Sequence, residues 1–508
     1  MSGARAATPA PTDSGSDVAT TFRRGADTVV SVLRGHAERT PDAPFLIVDD
    51  GPRISYAQAY DRAASTAGAL RDLGVRAGDR FCAHLTNRAE FYDLWFAAGL
   101  LGATIVPTNP LSTADELGYM LRHAGCTVAV TQPDLLATVR DSGAPVAVEV
   151  GELAGDPVEP VTVSPGSPLS VLYTSGTTSR PKGVLITQAA YLHVGDVVAG
   201  HLRLRPDDRH LVVLPLFHGN AQYYSSMSAL VTGASIALAP KFSASAWSRQ
   251  AAELGATVAS LFAAPIRMIL AAGATEHDAA HRLRIALFAQ NISDAQLAEF
   301  ERRFAVPLIQ IYGMTETVVP VTMNPLYEQR RGTSIGRSLP EATLRIDEPD
   351  EHGAGELLVH GEPGRTMMSG YLDDSDATAR VLSDGWLRTG DAVRIDADGY
   401  FHFVDRRKDM IKRAGENVAS GEVERVVDSH PEVFQSAAVG VPDEMRDEAI
   451  HVFVVRIDGS SLTEEALLAH CRERLAKFKV PDVVEFVTDL PRTSVGKIQK
   501  NLLRSSRQ

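Results

Sequence analysis

Tyr173-Thr174-Ser175-Gly176-Thr177-Thr178-Ser179-Arg180-Pro181-Lys182-Gly183-Val184 follows a short apolar run, Leu169 to Leu172, and leads into another, Val184 to Ile186. The two runs read as strands, and the segment between them as the loop that joins them. That loop gathers backbone N–H groups, a series of hydroxyl side chains, Arg180 and Lys182 on one exposed tip. Such a tip suits a polyphosphate, whose charge is met by the cations and whose oxygens accept from N–H and O–H. It is not a Walker A loop, which needs Gly-Lys-Ser/Thr. Here Pro181 holds the glycine position and Gly183 follows the lysine. A solvated Gly/Ser/Thr turn is the competing reading, and Lys182 beside Arg180 weighs against it.

Outward from this loop the chain alternates helix and strand patterns. Thr113-Ala-Asp-Glu116 is a capping-box signature, opening a helix that should stop at Gly125 before a strand at Thr127–Thr131. Ser293-Asp-Ala-Gln296 repeats the device. Its helix carries Leu297, Phe300 and Phe304 on one face and leads to the strand Leu308–Ile311, followed at once by Tyr312-Gly313-Met314-Thr315-Glu316. This alternation implies an α/β fold, a large multi-layered N-terminal domain with mostly parallel sheets. Ligands of such sheets sit beyond the carboxyl ends of the strands, where Tyr312 to Glu316 falls.

Beyond Gly353 the style changes to short strands, Gly355–Val359 and Gly399–Val404, and then to a charge cluster, Asp405-Arg-Arg-Lys-Asp409, that reads as a linker. The rest supports a small mobile α+β C-terminal domain. Ser420 should cap a helix at Gly421–Ser429. Strands are expected at Ala437–Val441 and Ile450–Ile457, a helix at Glu464–Ala476 and a strand at Val483–Val487. The expected division is a disordered tail over 1–25, a large domain over 26–404, a hinge over 405–408 and a lid domain over 409–508.

A chain of 508 residues accommodates two such domains, and its 44% apolar and 22% charged content is that of a globular enzyme. The net charge of −13 argues against nucleic acid or an anionic membrane as partner, while leaving room for a small polyanion where cations are focused. The apolar stretch Leu94–Pro107 is too short to span a bilayer. Cys82, Cys126 and Cys471 lie far apart without metal spacing and read as reduced, buried thiols of a cytoplasmic protein.

Four motifs follow in order: the loop at Thr174–Gly183, Tyr312–Glu316, Trp386-Leu-Arg-Thr-Gly-Asp391, and Pro491-Arg-Thr-Ser-Val-Gly-Lys497. With Lys408-Asp-Met-Ile-Lys-Arg-Ala-Gly-Glu-Asn-Val418 and Glu422-Val-Glu424, the set resembles the adenylate-forming enzymes: acyl-CoA synthetases, firefly luciferase and nonribosomal peptide adenylation domains. The likeness runs from about Val29 to Leu503. It implies that a carboxylate attacks the α-phosphate of ATP, releasing pyrophosphate, and that a thiol, usually coenzyme A, then displaces AMP. Charge spread over phosphoryl oxygens requires positioned cations and Mg²⁺.

The resemblance also implies roles. Thr174, Ser175, Gly176, Thr177, Thr178 and Lys182 would cradle the β- and γ-phosphates. Tyr312 would lie against adenine, Thr315 would bond the α-phosphate, and Glu316 would hold Mg²⁺. Asp391 would accept from the ribose hydroxyls, with Arg406 reaching the ribose or the phosphates. Lys497 would bridge the attacking carboxylate and the α-phosphate. Lys408 matches the hinge about which the small domain swings between the two half-reactions. His218, after Leu214-Pro-Leu-Phe217, matches a histidine at the mouth of the acyl pocket.

Asn220, Gln222, Tyr223 and Tyr224 are polar for an acyl wall, although helical spacing would send half of them to the surface. If they line the pocket they favour a small polar or aromatic acid over a plain alkyl chain. The chain departs from the family at Ser179, where glycine is usual, and at Leu287-Phe-Ala-Gln290-Asn291-Ile-Ser293. The latter, with Phe217-His-Gly-Asn-Ala-Gln222, looks most like the carnitine/crotonobetaine–CoA ligase branch. The chain nevertheless lacks an acidic set for a trimethylammonium group. The open alternatives are an ATP-dependent diazotase of secondary metabolism, acting on nitrite and an aryl amine, and an enzyme loading a carrier protein. A nonenzymatic binder is disfavoured by the presence of Glu316 and Lys497.

Overall fold

The structure, a computed structural model, describes residues 27–174, 181–406, 409–413, 416–443, 447–493 and 498–506. Apolar runs such as Val258–Phe262 and Ile285–Ala289 are buried almost throughout, so neither face can alternate with solvent, and they pair in parallel. They belong to a nine-stranded sheet. Its order is Arg337–Ser338, Thr322–Met323, Leu308–Tyr312, Ile285–Ala289, Val258–Phe262, Arg209–Val212, Ser235–Leu238, Pro44–Val48 and Arg53–Ser55. A seven-stranded sheet runs Gly370–Tyr371, Lys182–Thr187, Pro168–Thr174, Thr104–Pro107, Arg80–His84, Val128–Thr131 and Val146–Glu149. Parallel pairing dominates the middle of both; antiparallel strands close both edges of the first sheet and the Gly370–Tyr371 edge of the second, whose other edge strand, Val146–Glu149, is parallel. The fold is the expected α/β class.

Short helices cover these sheets and end where the sequence says they should. Thr113 and Glu116 form the capping box of Ala114–Ala124, which Gly125 ends at φ 62°. Ser293 and Gln296 do the same for Asp294–Phe304. The three cysteines are buried and free. Among the described residues no helix is long and apolar enough to cross a membrane.

The segment after Gly353 forms a third, wholly antiparallel sheet of Thr343–Asp347, Gly355–His360, Trp386–Ile395, Leu382–Ser383 and Phe401–Arg406. Here the linker reading needs correction. Asp405 and Arg406 pair with Ala392 and Asp391, so the charge cluster begins inside a strand. A large hydrophobic core extends from Val29 to Phe401, with a smaller one from Cys82 to Leu372 beside it, while Ile411–Val484 and Ala437–Leu503 supply separate cores around a last sheet. In that sheet Val433–Asp443 and Asp447–Arg456 form a long hairpin, with Val483–Val487 parallel to the second strand.

Ser420 does not cap its helix. The helix spans Ser420–Asp428 with Ala419 at the cap position. The anion at its amino end is Asp405, 3% exposed, which accepts from Ser420 N at 2.5 Å, Ser420 Oγ at 2.7 Å and Gly421 N at 3.3 Å. Lys500 Nζ donates to Ser420 Oγ at 2.6 Å and pairs with Glu424 at 2.7 Å.

Candidate active site

The quoted loop joins two antiparallel strands, Pro168–Thr174 and Lys182–Thr187, with Thr174 directly opposite Lys182 at the base of the tip. Ser175, Gly176, Thr177 and Thr178 lie outside the described residues, as do Lys408 and Lys497; Arg406 is described only in its backbone. The hairpin is braced on its flank: Tyr119 Oη donates to Pro181 O at 3.1 Å, and His123 Nδ1 lies 2.7 Å from Tyr173 Oη. Lys182 Nζ sits 4.8 Å from the centroid of the Tyr371 ring.

Tyr371 connects this cation to the second motif. Its hydroxyl donates to Glu316 Oε1 at 3.0 Å, and Glu316 is 7% exposed. Burial, and then the Glu316 charge, push the Tyr371 phenol far above its ordinary range, so it remains a proton donor. At the other end of the same loop Tyr312 Oη donates to Asp391 Oδ2 at 2.8 Å. Asp391 is 5% exposed and stands opposite Arg406 in the antiparallel register. Tyr312, Asp391, Glu316 and Lys182 are thus brought together by one five-residue stretch, Tyr312–Glu316.

That stretch is held in an unusual backbone. Val318, β-branched and fully buried, has φ 60°, a conformation such residues rarely adopt. Thr317 compensates: its Oγ accepts from Met314 N at 2.9 Å and lies 3.1 Å and 2.9 Å from the carbonyls of Met314 and Val319. A Cβ at Gly313 would fall 2.8 Å from both Tyr224 Oη and Val319 O, so only glycine fits there. Tyr223 Oη reaches Thr315 O at 3.5 Å.

The segment after His218 is a π-helix, Asn220–Met227, and all eight of its residues are buried. Helical spacing alone allows half of them to face solvent, but this helix is enclosed between sheet and helices. Tyr223 meets Tyr191 edge-on at 5.7 Å, and Tyr191 meets Trp95 at 5.0 Å. Gln222 has its amide engaged by the protein. It is fully buried, its Nε2 donates to Leu216 O at 2.6 Å, and its Oε1 accepts from Tyr191 Oη. Asn220 differs: Oδ1 accepts from Ser260 Oγ at 2.8 Å, whereas Nδ2 is buried with no partner among the described residues. Burial pushes the half-buried His218 imidazole down to about 3, so it is neutral near pH 7.

Gln290 and Asn291 follow the strand Ile285–Ala289, Gln290 at φ 76°. Gln310 Nε2 holds both, donating to Gln290 O at 3.1 Å and Asn291 Oδ1 at 3.2 Å. Asn291 itself is exposed, so of this pair Gln290 is the better placed to border a pocket. Tyr371, Thr317 and Gln310 carry no local sequence signal. Only the pairing of Gly370–Tyr371 with the Lys182 strand reveals Tyr371.

The donor chemistry fits a magnesium nucleotide. Among the described residues no group of three or more His, Cys, Asp or Glu could cage a metal. One buried carboxylate, Glu316, is enough to hold Mg²⁺ when phosphate oxygens and water complete its shell.

Residues 33–372 match the AMP-binding enzyme family, and 422–497 match the AMP-binding enzyme C-terminal domain. A crotonobetaine/carnitine–CoA ligase of Proteus mirabilis is 37% identical over 482 residues, 89% of this chain and 93% of the relative. Among solved structures, ATP-bound MatB of Rhodopseudomonas palustris is 26% identical at a TM-score of 0.86, covering 94% of this chain and 98% of its own. O-succinylbenzoate coenzyme A synthetase (MenE) of Bacillus subtilis, in complex with ATP and magnesium ion, is 28% identical at 0.84, covering 93% and 98%.

Proposed function

The chain belongs to the AMP-binding enzyme family, and from that membership we infer that it is an ATP-dependent, AMP-forming ligase that adenylates a small carboxylic acid and transfers the acyl group to coenzyme A. The observation that carries this reading is the Tyr312–Glu316 stretch. Through Tyr312 it reaches Asp391, and through Tyr371 it reaches Lys182. One end suits a nucleoside and the other a polyphosphate.

In this scheme the Tyr312 ring packs on adenine and the Asp391 carboxylate receives the ribose hydroxyls. Thr174 and Lys182 meet the charge of the departing pyrophosphate, and Thr315 bonds the α-phosphate. Glu316 would hold Mg²⁺, which when bound would supply neutralisation of phosphate charge. Lys497 bridges the acid and the α-phosphate, and movement about Lys408 exchanges it for the segment around Gly415 when coenzyme A attacks. Neutral His218 serves the acid as a hydrogen-bond donor rather than as a cation.

A small polar acid is favoured over an alkyl chain because the π-helix carries Asn220 Nδ2 as a buried donor without a partner among the described residues. The test is pyrophosphate release from ATP and Mg²⁺ across a panel of carboxylic acids, with and without coenzyme A. Acid-dependent release that yields a thioester supports the proposal. Release that needs nitrite with an aryl amine, or that loads only a carrier protein, overturns it.

A further inference from the structure

Four backbone and side-chain contacts tie the segment Met368–Leu372 between two parts of the site. Met368 N donates to Glu316 O at 2.9 Å, and Tyr371 Oη to Glu316 Oε1 at 3.0 Å. On the opposite side Ser369 N donates to Leu185 O at 3.0 Å and Leu372 N to Gly183 O at 2.8 Å, both in the Lys182 strand. Tyr371 lies at the centre, its backbone opposite Val184 and its N–H on Thr378 Oγ at 2.9 Å. A side chain so clamped has one position to offer.

We propose that Tyr371 is a positioning residue for the nucleotide-binding step, fixing the Glu316 carboxylate with its hydroxyl and the Lys182 ammonium with its ring. The inference rests on the ligase reading above. Lysine carries its charge on a flexible four-carbon stem, and an unbraced ammonium would have to be ordered when the phosphates arrive. The ring beneath Nζ supplies that order beforehand through a cation–π contact. The hydroxyl does the same for Glu316: with Oε1 engaged, the carboxylate plane is set before a metal ion approaches. The two functions sit on different atoms of one residue, so they can be separated. Tyr371→Phe removes the hydroxyl and keeps the ring, whereas Tyr371→Leu removes both.

The test is calorimetric titration of ATP into the full-length protein without any acid, once in chelator and once in saturating Mg²⁺. This reads binding rather than turnover. In Tyr371→Phe the affinity in chelator should stay within about twofold of wild type, while the extra affinity conferred by Mg²⁺ falls about tenfold, the worth of a hydrogen bond to a charged group. Tyr371→Leu should in addition lose about three- to tenfold in chelator, because Lys182 is no longer held. Glu316→Gln should abolish the Mg²⁺ effect, and adding Tyr371→Phe to it should change nothing more. Thermal unfolding of each variant guards against a folding defect, and the near-isosteric Phe variant keeps the test open if the Leu variant fails to fold. A Phe variant with the wild-type Mg²⁺ effect overturns the inference, as does one equally weak in chelator and in Mg²⁺. Failure of the wild-type protein to bind ATP in either condition would instead overturn the ligase reading on which the inference stands.

Discussion

Replacing Asp405 by alanine should loosen the helix Ser420–Asp428 from the strand Phe401–Arg406. Asp405 is 3% exposed and accepts from two backbone N–H groups and one hydroxyl at the amino end of that helix. A hydrogen bond to a charged group contributes about 1.5–3 kcal/mol, and an anion at a helix amino end about 0.3–1 kcal/mol more. The sum overstates the loss, because water can enter the space left by the carboxylate and Lys500 still has Glu424 at 2.7 Å. A net effect of about 2–4 kcal/mol remains, with Asp405→Asn near half of it since an acceptor survives without its charge. Amide hydrogen exchange is the appropriate assay. Trp95, Trp247 and Trp386 all lie in the first core region or the sheet beside it, so tryptophan fluorescence would not report on this helix. Protection of Ser420–Asp428 should drop by roughly 30- to 1000-fold, while amides of Leu308–Tyr312 hold their protection. Helix protection within threefold of wild type in the alanine variant, or no gradation between Asn and Ala, would show that the clasp is incidental.

Asp428 gives a pH signature. Burial raises its carboxyl to about 7, against the pull of Arg267 and a 2.7 Å bond from Ser436 Oγ. The folded protein therefore keeps a proton that the unfolded chain has already lost, and stability falls as pH rises from about 4 to 7. The slope is up to about 1.4 kcal/mol per pH unit and flattens above 7. Asp428→Asn should remove that slope in urea titrations, and parallel wild-type and variant profiles would disprove it. Gln290→Gly should raise the unfolding free energy by about 1 kcal/mol, read as a higher urea midpoint at an unchanged slope, since glycine adopts φ 76° without strain. A fall would mean that the side chain's contacts outweigh the strain. Lys497→Ala should abolish pyrophosphate release yet spare thioester formation from pre-made acyl-adenylate. Equal loss of both half-reactions would remove the basis for a domain swing.

Much of this was legible where local chemistry and the fold agree. Thr113 with Glu116 and Ser293 with Gln296 announce helices because a cap needs only residues three apart. The Lys182 hairpin and the Tyr312 loop were readable for a similar reason, as each is a strand end with its polar residues in sequence. Tyr371, Gln310 and Thr317 were not, because their partners are set by strand pairing and by a strained turn that no short window encodes. Ser420 misled for the same cause: a hydroxyl at a helix start normally caps, but a buried carboxylate from another strand took the position. The partners of Gln222, Leu216 O and Tyr191 Oη, are likewise set by packing that no short window encodes.

The π-helix has a further consequence for how this part of the chain can change. A π-turn holds about one residue more than the 3.6 of an α-turn. Asn220 beneath Ser260 and Tyr224 beside Gly313 therefore depend on one surplus residue. Deleting a single residue between them would let the segment rewind as an α-helix. The turn that holds the surplus would tighten, so the side chains within it shift against their neighbours while those beyond the deletion keep their facing and the strands stay where they are. A one-codon deletion would thus reshape this buried wall without disturbing the sheets around it.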